Sequence, residues 1–420
     1  MRDDLVSRRS LLGAGLAVCL PGVAGRAGIL DDKARGVLKF SIKETAGLRR
    51  FGYPVHVILP IEPNARSFRL ERNGQAVPAQ FRPGVGSDEK LAVLLDFIAS
   101  PGPFEHQAYV VRYGGNVEPG PASRGGMTVE RREDSWIVRN QSALAYKVPD
   151  PFNGLLRSVM NGGFEYIDPR TPLVGAASAI LPSTRALAAK QKPLPSLPGV
   201  VTRKGPFAVG LRFRKATMYE GFGFIRSVVD LSFPSSKSWV EVIWTIDDPA
   251  GLAAGMRLDL DLQLEGAPIA VDFGANNTVY GNLRLDESMT LNAGEAPGIA
   301  PLEHTWQVVK HHQGKPELYA ASLLKNAPAA EGWVHVMDKT RCTAVAIADF
   351  GRSTRDAIIV NGKRLTLSRM FAAPDAEPLK GTKTLRCWFH FVANPVQITA
   401  ATSPQAMLAP LEIQWKPLAE

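Results

Sequence analysis

Three segments of the sequence each carry a tryptophan, a histidine and a cationic side chain at alternating positions. Alternate side chains of a β-strand point to the same face, so each segment would present its groups together. An aromatic ring can stack on the apolar face of a sugar, an arginine can pair with a uronate carboxylate, and a histidine or lysine can transfer a proton. The groups are His304, Trp306 and Lys310; Trp333, His335, Lys339 and Arg341; and Arg386, Trp388 and His390.

From this pattern we predict one carbohydrate-facing surface. As an enzyme, the protein would perform β-elimination on a uronate: Arg341 or Arg386 would neutralise the carboxylate, and His335, Lys339 or His390 would take the C5 proton. Two alternatives stay open: the same surface could bind sugar without turnover, or the tryptophans could fill a core in a structural envelope protein. The predicted substrate-binding residues are Trp306, Trp333, Arg341, Arg386 and Trp388.

The sequence predicts no metal site and no cofactor. His311 and His312 are neighbours, and neighbouring strand residues point to opposite faces, so both do not easily bind one ion. Asp247-Asp248-Pro249 is typical of a turn, and Asp259 and Asp261 are typical of a solvated strand face. No nucleotide-binding or nucleophile-elbow motif occurs.

The elements that must position these groups are strands. The segment Arg257–Glu265 alternates leucine with polar residues, which indicates a half-buried strand. Asn73-Gly74 and Asn361-Gly362 are hairpin signals. The best helix candidates are Ser183–Lys190 and Lys315–Leu324. We therefore predict an all-β protein, with a small N-terminal β-sandwich or barrel followed by a large two-sheet β-supersandwich.

The domain prediction rests on composition. Residues 114–126 are polar and rich in glycine and proline, as a linker is. The N-terminal β domain would then be residues 28–113 and the supersandwich 127–420. Residues 161–206 break the strand rhythm, and we predict a loop there that covers one sheet.

The N-terminus resembles a twin-arginine signal peptide, for which we predict residues 1–27. Arg8 and Arg9 precede a short apolar run that ends at Pro21, about half the length of a membrane span. The expected partner is the twin-arginine export machinery, and the expected location is periplasmic or secreted. A chance Arg-Arg pair, or lipid anchoring at Cys19, is the alternative.

Charge and cysteine content narrow the partners. The net charge is +9, or +7 beyond residue 27, and the positive charges are dispersed. An acidic polysaccharide suits this charge, whereas export argues against nucleic acid. No later apolar run is long enough for an integral membrane protein. Cys342 and Cys387 fall on apolar strand faces, so we expect free buried thiols.

Two regions resemble the exo-rhamnogalacturonan lyase-like proteins. Within residues 51–82, the likeness is carried by Leu70, by Asn73-Gly74 and by Val77-Pro78-Ala79-Gln80, as in the N-terminal β domain of that family. Residues 333–350, 358–367 and 381–392 are similar to its central supersandwich, with Gly381–Phe391 as the most specific part. The family's lyases add a helical toroid, which this sequence lacks. The resemblance therefore implies the β domains and a carbohydrate ligand, and its supersandwich is shared with sugar mutarotases, lyases and hydrolases.

Overall fold

The computed structural model describes residues 36–416 apart from a set of short gaps, and the predicted signal peptide lies outside the described residues. The described part is almost entirely β, which confirms the predicted fold class. No helix in it is long and apolar enough to cross a membrane. The gaps are residues 62, 64–66, 86–89, 124–125, 141–142, 172–175, 183–189, 295, 297–298, 300–303, 323–325, 353, 373–375 and 397–401.

The N-terminal segment forms a five-stranded and a three-stranded antiparallel sheet around one apolar core. The Asn73-Gly74 turn joins two of its strands, and both residues take the positive φ that a tight hairpin needs. The last strand of the chain, Glu412–Lys416, pairs with the first, Gly36–Lys43, so residues from the far end complete this sheet. The strands are β1 (Gly36–Lys43), β2 (Tyr53–Leu59), β3 (Phe68–Arg72), β4 (Gln75–Val77), β5 (Ala79–Val85), β6 (Leu91–Ala99), β7 (His106–Tyr113) and, from the C-terminus, β30 (Glu412–Lys416).

A five-stranded meander follows the polar segment 114–126, in which the structure places no strand among its described residues. It packs apolar side chains such as Tyr146 and Val148 into the core of the two large sheets. Its strands are β8 (Thr128–Arg132), β9 (Ser135–Arg139), β10 (Ala145–Pro149), β11 (Ser158–Asn161) and β12 (Phe164–Glu165).

Two large antiparallel sheets, of seven and ten strands, face each other and form the predicted supersandwich. Leu258, Leu260, Leu262 and Leu264 are all buried in its core, as their alternation predicted. The seven-stranded sheet has the order β13-β19-β28-β27-β22-β23-β24. Its strands are β13 (Ala176–Ile180), β19 (Gly255–Asp261), β22 (Ser288–Ala293), β23 (Trp306–His312), β24 (Lys315–Ala321), β27 (Arg355–Asn361) and β28 (Arg364–Met370).

The ten-stranded sheet has the order β14-β16-β17-β18-β29-β26-β25-β20-β21, with β15 also paired to β16. Both cysteines lie buried and unbonded in it, as expected, and burial raises the pKa of each thiol. The strands are β14 (Gln191–Pro193), β15 (Leu197–Lys204), β16 (Ala208–Tyr219), β17 (Gly223–Pro234), β18 (Trp239–Asp248), β20 (Ile269–Gly274), β21 (Thr278–Leu283), β25 (Trp333–Met337), β26 (Arg341–Ile347) and β29 (Gly381–Ala393).

Two local predictions differ from the structure, and a third cannot be compared with it. Residues 315–321 form strand β24 at a sheet edge rather than a helix, because pairing with β23 overrides their weak helical pattern. The described part of 161–206 contains four whole strands and the last residue of β11, so it is not simply a loop. The other helix candidate, Ser183–Lys190, lies largely outside the described residues. The helix within the described part is the short α1 (Ser403–Leu408), with proline in its first turn.

Candidate functional site

Four of the predicted site residues do meet on one face of the ten-stranded sheet. Strand β26 lies between β25 and β29, and its alanines leave room for large neighbours. Ala346 lies opposite both Trp333 and Trp388, and Ala344 lies opposite both histidines. Trp239 joins them from β18, opposite His390. We call this set the Trp/His face; its members are Trp239, Trp333, His335, Trp388 and His390.

The Trp/His face is buried, which corrects the prediction of an open sugar-facing surface. Trp333 is 3% exposed and Trp388 is 6% exposed. The three tryptophans belong to the same core cluster as Phe40 and Phe97 of the N-terminal sheets and Met407 of α1. This stretch of the ten-stranded sheet is therefore covered on both sides, by the supersandwich core and by the N-terminal sheets.

Glycine is required at one point under this interface. A Cβ at Gly274 would lie 2.1 Å from Nε1 of Trp333, so the indole ring can lie across β20 only because residue 274 has no side chain. The Trp333 and His335 rings then meet edge to face, with centroids 5.1 Å apart. The packing is that of an interior.

The histidines of the Trp/His face are poorly placed for proton transfer with a substrate. His335 has its Nδ1 3.0 Å from Asp272 Oδ1. His335 Nε2 and His390 Nδ1 are buried, with no hydrogen-bond partner in the described structure. Burial, helped by the charges of Lys237 and His335, lowers the pKa of His390 to about 3. His390 is therefore neutral at ordinary pH and closed to bulk solvent.

The remaining predicted residues are not brought to the same place. Trp306 belongs to β23 of the other large sheet and is 5% exposed. Arg341 is buried, with bonds to Asp338 and Glu265 that raise its pKa against the opposing effect of burial.

Two predicted cations do reach solvent. Lys339 is exposed in the turn before β26. Arg386 is partly exposed; it pairs with Glu241 at 2.6 Å and lies 4.9 Å above the Trp388 ring. The predicted base, cation and aromatic plate thus do not share one accessible surface.

A cavity lined by none of the predicted site residues opens between the two large sheets, where β13 ends the seven-stranded sheet opposite β16, β17 and β18. We call it the sandwich cavity; its volume is about 110 Å³. Strand β16 points alternate side chains into it, and the register places Ser227 of β17 opposite Lys215. Its lining includes Phe213, Lys215, Thr217, Tyr219, Ser227 and Trp244.

Two donors in the sandwich cavity have no acceptor among the described residues. Lys215 is half-buried and forms no described hydrogen bond or ion pair, and burial lowers the pKa of its ammonium group. Trp244 is 2% exposed, and its buried Nε1 has no partner. An unsatisfied buried donor such as Trp244 Nε1 is uncommon and calls for an explanation. A ligand with a carboxylate and hydroxyl groups would supply the missing acceptors.

A signal for this site exists in the sequence. Val209, Leu211 and Phe213 occupy the apolar phase of β16, and Lys215 continues that same phase. A lysine in the core-facing phase is either unfavourable or functional. Lys215 was not among the predicted site residues, which were chosen for histidine and tryptophan.

No group of three or more His, Cys, Asp or Glu side chains in the described ranges is arranged to hold a metal ion.

Comparison with known proteins finds similar structures but no similar sequence. No protein-family model matches the sequence, so the lyase-like resemblance lacks support from one. No curated protein sequence is significantly similar. The chain is similar in structure to a protein in glycosyl hydrolase family 38 from Enterococcus faecalis, with a TM-score of 0.54 and 10% identity over 91% of this chain and 48% of that one. An α-mannosidase from Enterococcus faecalis V583 gives a TM-score of 0.50 and 8% identity over 91% and 46%. The chain thus spans about half the length of these structures.

Proposed function

We propose that this protein recognises an acidic carbohydrate and that the sandwich cavity binds the carboxylated end of that sugar. The observation that carries the proposal is the unpaired, half-buried ammonium of Lys215 in a cavity walled by aromatic rings. A partly buried ammonium group attracts a carboxylate more strongly than one in bulk solvent does.

The other lining groups suit the rest of a sugar ring. Tyr219 and Trp244 offer apolar surface, and the Trp244 Nε1 donor lacks an acceptor that a sugar oxygen could provide. Thr217 and Ser227 add hydroxyl groups on the same wall. The cavity is smaller than the roughly 300 Å³ at which pockets for drug-sized ligands begin. It therefore suits one terminal unit, with the rest of a chain in solvent.

The structural neighbours support a carbohydrate ligand in general and do not bear on its acidity. One is a protein in glycosyl hydrolase family 38 and the other is an α-mannosidase. Because their sequence identity to this chain is low and the chain covers about half of their length, the two neighbours show a similar fold. They support a carbohydrate ligand and nothing more specific.

We propose that the protein recognises the sugar and does not cleave it by β-elimination. Elimination needs a base and a carboxylate-neutralising cation on the same bound sugar. The polysaccharide lyase-like mechanism expected from the sequence relied on His335 and His390, which are buried, and on Arg341, which is already paired with two carboxylates. Lys339 is exposed, and Arg386, the other cation expected to neutralise the carboxylate, is paired with Glu241.

The location is part of the proposal. We infer that Arg8 and Arg9 direct the folded protein through the twin-arginine machinery to the periplasm or beyond. Replacing both by lysine should leave uncleaved protein in the cytoplasm, measured by cell fractionation. Normal export of the double-lysine variant would reject this route.

The sugar site is tested by Lys215→Met, which removes the charge and keeps an unbranched apolar side chain. A hydrogen bond to a charged group is worth about 1.5–3 kcal/mol, so the affinity for galacturonic acid oligosaccharides should fall about tenfold or more. Isothermal titration calorimetry measures this directly.

The matched control is Lys339→Met, an exposed lysine outside the cavity. It should bind the oligosaccharide as the parent does, and both variants should retain the parent's unfolding midpoint. Equal affinities for the two variants would contradict the assignment of the sugar to the sandwich cavity.

A further inference from the structure

A second cavity lies on the opposite side of β16 and β17, between the N-terminal sheets and the outer face of the ten-stranded sheet. Its volume is about 250 Å³. It is lined by two arginines from different parts of the fold, Arg82 of β5 and Arg203 of β15, and by the polar side chains of Thr202 and Ser232. We call it the arginine cleft.

The two arginines share a single carboxylate. Asp96 is fully buried and accepts bonds from Arg82 Nε at 3.3 Å and from Arg203 Nε at 2.9 Å. Arg203 Nη2 lies 2.5 Å from the other Asp96 oxygen, which also contacts His56 Nδ1 at 2.7 Å. Both oxygens of Asp96 are thus occupied, and it has little capacity left for the guanidinium groups.

The guanidinium groups keep unused donors beside the cleft. Each guanidinium has five N–H donors. Within the described residues, Arg82 uses only Nε and Arg203 uses Nε and Nη2, while their side chains are 20% and 15% exposed. Burial lowers the pKa of Arg203, and the nearby Arg82 charge acts in the same direction.

The charges around the arginine cleft do not balance. Asp230 and Glu241, which line it, are already paired with Arg212 and Arg386. Asp230 and Glu241 are thus each matched by an arginine outside the lining, whereas Asp96 alone is shared by Arg82 and Arg203. The surplus positive charge lies where two arginines converge, and planar guanidinium groups suit oxygen pairs of carboxylate, phosphate or sulfate.

We propose that the arginine cleft is a second binding site, for an oxyanion held between Arg82 and Arg203 at the junction of the two sheet systems. The oxyanion is either a free ion, such as phosphate or sulfate, or the same chemistry carried on a larger anionic glycan. The site is independent of the sandwich cavity, because it lies on the other face of the ten-stranded sheet and uses none of the same side chains.

The experiment is calorimetric titration of the full chain with inorganic phosphate, inorganic sulfate, dextran sulfate and neutral dextran at constant ionic strength. We expect at least one oxyanion to bind and neutral dextran not to bind. Arg82→Gln should weaken that binding about tenfold, since one charge-assisted contact is lost. Binding of the inorganic ions identifies a free-ion site, and binding of dextran sulfate alone identifies a glycan-borne group.

The matched control is Arg352→Gln, which removes an exposed arginine whose ion pair is on the surface. It should bind as the parent does. Unfolding midpoints without ligand show whether each variant is folded, and Ser232→Gln, which narrows the cleft and leaves the arginines in place, serves as a second variant. Absence of oxyanion binding, unchanged binding in both cleft variants, or equal weakening in Arg352→Gln would overturn the proposal.

Discussion

Replacing Trp388 by alanine should lower the free energy of unfolding by about 3–5 kcal/mol, the cost of removing a large buried aromatic side chain. Trp388 is 6% exposed and packs in the core that joins the N-terminal sheets to the ten-stranded sheet. Its loss leaves a cavity that neighbouring strands fill only in part. Urea unfolding, followed by circular dichroism, measures the effect as a shift of the transition midpoint.

Trp415→Ala is the matched control, because Trp415 is 44% exposed on the last strand. It should cost clearly less than Trp388→Ala. A Trp388→Ala protein with parental stability that no longer binds acidic oligosaccharides would instead make the Trp/His face the sugar site, as the sequence pattern predicted.

Asp96→Asn should also destabilise the protein by about 3–5 kcal/mol, because removing one member of a buried charge network leaves the others uncompensated. Asparagine keeps the shape and removes the charge that Arg82, Arg203 and His56 share. The network joins β2, β5 and β6 to β15 of the ten-stranded sheet, so its loss weakens the contact between the two sheet systems. The measurement is again the urea midpoint.

The same network sets a pH dependence. Burial acts to raise the pKa of Asp96, but the His56 hydrogen bond and the charges of Arg203 and Arg82 outweigh it, and the pKa is lowered. A carboxyl group with a lowered folded-state pKa contributes stability above its unfolded pKa of about 3.9, and that contribution is lost as the pH falls through the folded value. The parent should therefore lose stability as the pH falls below about 4, and the Asp96→Asn variant should lose less over the same range.

Asp349→Asn is the control for this experiment, since Asp349 is exposed and pairs with Arg352 on the surface. It should change stability by less than about 1 kcal/mol. A similarly small effect of Asp96→Asn would show that the buried network does not hold the sheets together.

Alternation carried most of the fold prediction. It identified strands such as β19 and correctly put Trp333 with His335, and Trp388 with His390, on shared faces. The Asn-Gly pairs located two hairpin turns because few residues tolerate positive φ there. These signals depend on neighbouring residues only, so they can be recognised in the sequence without knowledge of the tertiary structure.

What covers a face is not a local property. The Trp/His face alternates as a half-exposed strand would, yet the N-terminal sheets and α1 pack over it. Trp306 was assigned to the same surface because sequence gives strand parity but not strand order, and β23 lies in the other sheet. The sandwich cavity depends on where β13 ends opposite β16, which only the assembled sheets determine.

The most direct test of the proposed sugar site is a fluorescence titration with galacturonic acid oligosaccharides in single tryptophan-to-phenylalanine variants. Trp244 lines the sandwich cavity, whereas Trp388 lies in the covered Trp/His face. We expect the ligand-dependent change in emission to persist in Trp388→Phe and to disappear in Trp244→Phe. A change that disappears in Trp388→Phe and persists in Trp244→Phe would contradict the sandwich cavity as the sugar site.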